Sequence, residues 1–367
     1  DGDLDIVSAS YVDSTIAWYE NDGAADPTWS AANIDTNADY ALDVDVGDMD
    51  GDGDLDIVSA SILDDTIAWY ESNAADNNLD TDAVAGADYT AASGTLTFDA
   101  GDTTATFTVP VLADSYPENN ETATMTLSSA SNATLSDATG TLTITDDDSI
   151  SFTGINIDRG KSNGAREVYL ADMDSDGDLD IVVGSSADNT IAWFENDGAA
   201  NPGFSHANIA TTAKWAADVQ VRDMDADGDL DIVSASSGDN TIAWYENNGA
   251  ADPTWSAVNI ATSAKGAYSV DIADMDGDGD LDIVSASDDD NTIAWYEHDG
   301  AADPSWSAAN IVTNVDGARG LSVADMDGDG DFDIVSAARD DDAIDWFEND
   351  GAADPTWTKA NIATTAD

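Results

Sequence analysis

The chain of 367 residues has no cysteine, two histidines and nine lysines and arginines. Without cysteine there is no disulfide framework, so stability has to come from packing or from bound ions. With His206 and His298 as the sole imidazoles, nucleophile-and-base chemistry has few candidates, and the chain is not expected to be an enzyme. Nine scattered basic residues cannot build the footprint that a phosphate backbone requires, which argues against a nucleic-acid partner and equally against an anionic membrane surface. No run approaches the roughly 20 apolar residues of a membrane span, so membrane insertion is not expected either. Residues Asp1, Gly2 and Asp3 do not open a signal peptide.

What the chain does have is acid. It carries 77 aspartates and glutamates for a net charge of −68, yet 42% of its residues are hydrophobic and eleven are tryptophan. That is too apolar and aromatic for simple disorder. A compact state of this charge repels itself unless cations neutralise it, so the composition asks for bound metal or high external salt.

The acid is organised. The string DMDxDGDLDIV, or a close variant, begins at Asp48, Asp172, Asp223, Asp274 and Asp325, the last four at intervals of 51 residues. The start of the chain, DGDLDIVS, is the second half of a sixth copy. The wider gap between Asp48 and Asp172 holds one period plus an interruption of 73 residues. Each period contains four short strand-like segments between Gly, Asp, Asn and Pro clusters, for example Tyr268 to Ala273, Leu281 to Ser287, Thr292 to Glu297 and Trp306 to Ile311. Four strands per period of this length predict an all-β fold, a β-propeller of six or seven blades. Residues 1–73 are then blades one and two, the first truncated; 74–149 are the insert; and 150–367 are the rest of blade two and blades three to six. Six periods and the insert exceed the chain by 12 residues, which reads as a piece of a longer polypeptide.

Each acidic loop places carboxylates at positions 1, 3, 5, 7 and 9. These are Asp48, Asp50, Asp52, Asp54 and Asp56; Asp172, Asp174, Asp176, Asp178 and Asp180; Asp223, Asp225, Asp227, Asp229 and Asp231; Asp274, Asp276, Asp278, Asp280 and Asp282; and Asp325, Asp327, Asp329, Asp331 and Asp333. The first, partial loop keeps Asp1, Asp3 and Asp5. Calcium takes six to eight oxygen ligands, and this spacing wraps an ion with side chains at 1, 3, 5 and 9 and a carbonyl at 7. Magnesium demands a tighter octahedron, and zinc prefers Cys and His. Asp-Gly turns alone would explain one copy. They do not explain five carboxylates in nine residues, repeated, whose mutual repulsion only a cation relieves. The loops hold 28 of the 77 acids, so calcium accounts for part of the charge, and a salty setting or a merely solvated acidic surface for the rest.

DMDGDGDLDIVSAS followed by NTIAWYEN resembles the FG-GAP, or VCBS, repeats of secreted proteins and of the integrin α-chain propeller, over about 290 residues. The resemblance implies calcium in the Asp-rich loops and an extracellular or cell-surface location. Within the insert, GADYTAASGTLTFDAGDTTATFTVPVLAD and the terminal GTLTITDDD are similar to the Calx-β domain, an immunoglobulin-like sandwich, with its first two strands not evident. Alternating runs at Gly94 to Phe98, Thr104 to Val109, Thr122 to Leu127 and Gly140 to Thr145 are its expected strands. If this copy binds calcium, the resemblance points to Asp114, Glu118, Glu121, Asp146, Asp147 and Asp148. Residues 150–157 then resume the fourth strand of the interrupted blade.

The tryptophans divide into two sets. Trp18, Trp69, Trp193, Trp244, Trp295 and Trp346 recur once per period and read as inter-blade core, whereas Trp29, Trp255, Trp306 and Trp357 on the outer strand are candidates for a ligand-binding rim. His206 and His298 read as surface variation. The expected function is a calcium-binding structural or adhesion module that meets a protein or glycan at a cell surface or matrix. A lectin or polysaccharide-lyase-associated propeller, and a filament subunit assembling by strand addition, are the alternatives.

Overall fold

The computed structural model describes residues 4–21, 24, 27–72, 83–112, 120–145, 150–158, 160–301 and 304–364. They form strands and no helix. Four sheets repeat one plan, each an antiparallel meander of four strands: β10 to β13 (Ala165–Ala171, Asp180–Ser185, Thr190–Asn196, Phe204–Ala210), β14 to β17 (Ala216–Arg222, Asp231–Ser236, Thr241–Asn247, Trp255–Ala261), β18 to β21 (Ala267–Ala273, Asp282–Ser287, Thr292–His298, Trp306–Val312) and β22 to β25 (Ala318–Ala324, Asp333–Ala338, Ala343–Asn349, Trp357–Ala363). Ahead of them, β1 (Ile6–Ser10), β2 (Thr15–Asn21) and β3 (Trp29–Asp35) form a three-stranded sheet. A further four-stranded sheet joins β4 (Ala41–Gly47), β5 (Asp56–Ser61) and β6 (Thr66–Ser72) to β9 (Phe152–Asn156), which lies beyond the insert in sequence. β9 pairs with β6 from Ala68↔Asn156 to Ser72↔Phe152, so the interruption falls between the third and fourth strands of its sheet.

The period-two pattern explains the core. In the third strand of each sheet, successive residues point to opposite faces, and both faces are covered by neighbouring sheets. Trp244 packs in one cluster with Tyr296 of the following sheet, while Tyr245 packs with Trp193 of the preceding one. The same relation joins Trp69 to Phe194 and Trp295 to Phe347. Trp69, Trp193, Trp244 and Trp295 are thus inter-sheet core, as their recurrence predicts, whereas Trp18 and Trp346, on the first and last sheets, are half-buried and outside these clusters.

Polar stitches run the same way around the array. The amides of Gly164, Trp215, Gly266 and Gly317, just ahead of each first strand, donate to Asp65, Asn189, Asn240 and Asn291 on the preceding sheet at 3.0–3.2 Å. The Nδ2 groups of Asn196, Asn247 and Asn349 donate to the carbonyls of Met49, Met173 and Met275 in loops of earlier sheets at 2.8–2.9 Å. His298 occupies this asparagine position in the fifth copy. It is not a surface residue: it is 3% exposed, stands edge-on to Trp306 at 5.0 Å, and leaves Nε2 buried with no partner. His206 is half-buried against Phe194. An asparagine at 298 would restore the missing donor, so His298→Asn is expected to raise the unfolding free energy by about 1 kcal/mol, read as a higher urea midpoint.

First strands carry a second kind of stitch. Asp43 accepts the amide of Val168 at 2.9 Å, Asp45 that of Leu170 at 2.8 Å, Asp218 that of Val270 at 2.8 Å and Asp271 that of Val323 at 2.8 Å, each satisfying an edge amide of the next sheet. The acids also crowd one another. Burial, together with neighbouring acids, pushes Asp43 up to about 7 and Asp218 up to about 6, and drives Glu167 well above the carboxylate range. Groups whose folded pKa is raised hold their protons longer in the native state, so their stabilisation is complete below about pH 4 and is lost as pH rises towards 7. In chelator, where no metal equilibrium intervenes, the melting temperature is therefore expected to be higher at pH 5 than at pH 8.

The insert differs from expectation. Its described part contains one two-stranded sheet, β7 (Glu121–Thr126) with β8 (Thr139–Ile144), and isolated bridges at Ala85, Tyr89 and Val111. β7 and β8 lie where strands were expected, but Gly94 to Phe98 and Thr104 to Val109 form none. Alternation supplies a face without a core: Phe98, Phe107, Val111 and Leu112 are all exposed, so nothing buries the apolar side of these runs.

Candidate metal centre

The acidic loop links the first strand of each sheet to the second. In the loop after β10, Asp172 accepts the amides of Asp176 and Gly177 at 3.0 Å, Asp174 that of Asp176 at 3.3 Å, and Asp176 that of Asp178 at 3.0 Å. The chain thereby coils around its own carboxylates. The coil closes at position 6, where Gly53, Gly177, Gly228, Gly279 and Gly330 all have φ between 100° and 103°. A Cβ on Gly177, Gly228, Gly279 or Gly330 would meet nothing within 4 Å, so glycine is required there by backbone conformation and not by space.

Position 9 anchors the loop. Asp180 accepts the amide of Met173 at 3.0 Å through one oxygen and that of Asn196 at 2.8 Å through the other, tying the loop to the end of the third strand. Asp231 and Asp282 repeat this with Met224 and Asn247, and with Met275 and His298. In the first, partial loop Asp5 accepts from Asn21 at 2.8 Å and from the Trp18 indole at 3.1 Å. Sequence spacing placed these aspartates near an ion; that each also serves two backbone amides was not legible in it.

The structure gathers the carboxylates of Asp48, Asp50 and Asp56, of Asp172, Asp174 and Asp180, of Asp223, Asp225 and Asp227, of Asp274, Asp276 and Asp282, and of Asp325, Asp327 and Asp329, each trio presenting oxygens within 4.8 Å of one another. Position 7 belongs to none of these trios. Asp178, Asp229, Asp280 and Asp331 instead abut Gly198, Gly249, Gly300 and Gly351 of the loop after the third strand, where any Cβ would collide with the carboxylate. Asp1, Asp3, Asp114, Glu118, Asp146, Asp147 and Asp148 lie outside the described residues. Glu121 is buried in β7. Among the rim candidates, Trp255, Trp306 and Trp357 are half-buried against the inter-sheet clusters, whereas Trp29 is 43% exposed.

The electrostatics of the trios are those of a site built for a cation. No ion pair among the described residues engages a carboxylate at positions 1, 3, 5 or 9; the arginine and lysine partners are Asp288, Asp340 and Asp345. Burial and then the neighbouring Asp52 push Asp50 up to about 6. Asp174, Asp225 and Asp276 move upward for the same two kinds of reason. Burial carries Asp180, Asp231 and Asp282 up to about 7 despite their amide donors. Glu71, Glu195 and Glu297, from the AWYEN-type third strands, add to the charge on Asp50, Asp174 and Asp276. These glutamates were missed in the sequence, although their recurrence once per period was the available signal. An all-oxygen anionic donor set fits a hard divalent cation.

Two family models match. One for the FG-GAP-like repeat covers residues 1–59, 172–234, 223–285 and 274–336, more than half of the chain. One for the Calx-beta domain covers residues 77–148. No curated protein matches in sequence. Among solved structures, the V. cholerae biofilm matrix protein Bap1 is similar at 16% identity, over 88% of this chain and 39% of that one, with a TM-score of 0.38. A protein from Lactobacillus plantarum is similar at 14% identity, over 66% of each chain, with a TM-score of 0.40. The periplasmic gluconolactonase PpgL of Pseudomonas aeruginosa is similar at 12% identity, over 98% and 97%, with a TM-score of 0.43. The chain thus spans about two fifths of the length of the Bap1 chain. No helix among the described residues is long and apolar enough to cross a membrane. FG-GAP repeats are typical of extracellular proteins, and the Calx-β domain is a calcium-binding domain type. By its recurring acidic loops, its four-stranded sheets and its family match, this chain belongs to the FG-GAP-like repeat proteins and carries a Calx-β domain within its second repeat.

Proposed function

We propose that the chain is a non-enzymatic, extracellular adhesion scaffold, a six-bladed propeller whose acidic loops hold calcium and are stiffened by it. The observation that carries this reading is the recurrence of a carboxylate trio in five successive loops, of positions 1, 3 and 9 in three and 1, 3 and 5 in two, each without a basic partner among the described residues and each loop joined through position 9 to the end of a third strand. Asp172, Asp174, Asp176 and Asp180 would hold the ion in the loop after β10, and the corresponding aspartates would hold it in the others. Bound calcium would supply charge neutralisation and a rigid cross-link between loop and strand, and no step of covalent chemistry. The side-by-side packing of β4, β10, β14, β18 and β22 supports a ring of blades around a common axis. Repeated, closely similar sites favour stiffness and display over catalysis, which would call for one site set apart from the rest.

Elemental analysis after equilibrium dialysis against about 10 mM calcium, with the calcium of the outer buffer subtracted, tests the proposal. About five calcium ions per chain are expected, one for each trio, with protection from proteolysis that chelator abolishes. A metal-free chain that resists protease as well as the calcium-treated one would overturn it.

A further inference from the structure

A residue in the left-handed region precedes the first strand of each four-stranded sheet. Gly164, Gly266 and Gly317 take this place with φ of 67°, 66° and 70°, and Tyr40 takes it with φ of 58°. Ahead of β14 it is Trp215, with φ of 52°. A bulky aromatic side chain is strained there, and such strain persists where something else requires it. The facing hairpin is altered to match. A Cβ at Gly266 or Gly317 would press on the backbone nitrogen of Asp289 or Asp340 at 2.9 or 3.0 Å, but the residue facing Trp215 is Gly238, itself only 3.0 Å from the Lys214 carbonyl oxygen at its ideal Cβ position. The indole is left 52% exposed, whereas Tyr40, the other aromatic at this place, stands edge-on to Tyr11 at 4.2 Å. Packing does not account for it.

Beside this indole stands a guanidinium with charge to spare. Arg166 lies over the Trp215 ring at 5.7 Å and the Tyr268 ring at 5.0 Å, and donates to the Tyr268 hydroxyl at 2.6 Å. Its Nε is buried without a hydrogen-bond partner, and no carboxylate among the described residues forms an ion pair with it. Arg319 covers the Tyr268 ring at 4.5 Å and shares Asp288 with Arg339. Trp215, Gly238, Tyr268, Asp288 and Arg319 line a cavity of about 320 Å³. Together Arg166, Lys214, Lys265, Arg319 and Arg339 bring five of the nine basic residues of a chain of charge −68 to one neighbourhood.

We propose that this cavity binds a uronate residue of an acidic polysaccharide. The apolar face of a pyranose stacks on the exposed indole of Trp215. The sugar carboxylate meets Arg319 on the cavity wall and Arg166 beside it, whose guanidinium lies over the Trp215 and Tyr268 rings and has no ion pair among the described residues. Asp288 offers acceptors for ring hydroxyls. This inference goes beyond the calcium loops and uses none of their residues.

The test is calorimetric titration of the calcium-loaded chain with a tetrasaccharide of galacturonate and, separately, a neutral galactose tetrasaccharide of the same length. Binding of the uronate, at least about tenfold tighter than of the neutral sugar, is expected, since a charge-assisted contact is worth roughly that factor. Trp215→Gly, which installs the residue that three sister sheets already carry, should weaken it about tenfold or more with an unchanged or higher melting temperature. Arg166→Gln should erase the preference for the acidic sugar. The proposal is overturned if the uronate does not bind, if Trp215→Gly binds as the parent does, or if both tetrasaccharides bind alike.

Discussion

Chelating calcium is expected to lower the melting temperature by about 10 to 20 °C. Extracellular calcium modules bind with dissociation constants of about 10⁻⁴ to 10⁻³ M, so 10 mM free calcium stabilises each occupied site by roughly 1.4 to 2.7 kcal/mol through mass action. For the five carboxylate trios this amounts to about 7 to 14 kcal/mol. At about 2.1 cal/mol/K of unfolding entropy per residue, a chain of 367 residues shifts by about 1.3 °C per kcal/mol, so a shift of about 9 to 18 °C follows. The direction is reinforced by the apo state, in which Asp50, Asp180, Asp231 and Asp282 are pushed upward by burial and by one another once no cation neutralises them. Calorimetric scans with calcium and with excess chelator make the measurement. Coincident transitions would mean that the loops are turns only.

Asp231→Ala is expected to cost about 2 to 6 kcal/mol in chelator, because it strands two buried amides at about 1 to 3 kcal/mol each, and more in calcium, where an ion ligand is lost as well. Those amides belong to Met224 and Asn247, which donate to the Asp231 carboxylate at 3.2 and 2.7 Å. Asp225→Asn, in the same loop, should behave differently. Asp225 bonds only within the loop and faces Asp223 and Asp227, so removing its charge relieves repulsion in the apo state while weakening the ion site. It should lower stability in calcium and leave it equal or higher in chelator. Urea midpoints for both variants under both conditions separate the two roles. Equal loss for the two variants in chelator would show that position 9 is no more structural than position 3.

Much of the fold could be read from the repeat. A period of 51 with four apolar segments is enough to place strands, and the expected segment Trp306 to Ile311 is observed as Trp306–Val312. The third-strand tryptophans were legible as core because large side chains at adjacent positions can both be buried only in a strand covered on two faces. The resumption of the interrupted sheet by β9 was legible for the same reason, from its likeness to the other fourth strands. The insert was less so. Its alternation of Thr, Ser and Ala marks strand propensity, but pairing depends on apolar contacts that Phe98 and Phe107 do not make. His298 was misplaced at the surface because substitution for a polar residue looks superficial until the asparagines at equivalent positions are seen to reach into the neighbouring sheet.

By itself the sequence determined the acidic loops, their spacing, the period that multiplies them and the family to which they belong, since each is a local pattern of residue types. Only the tertiary structure decided which carboxylates converge, that position 7 turns away to a glycine on another loop, and that position 9 holds backbone amides as well. It alone brought Trp215, Tyr268 and Arg319 around one cavity and laid Arg166 over two of their rings, residues spread over 154 positions of chain. The physical reason is that a repeat specifies each sheet through neighbours in sequence, whereas the contacts that single out one place on it form between successive sheets, where residues about 51 positions apart become adjacent.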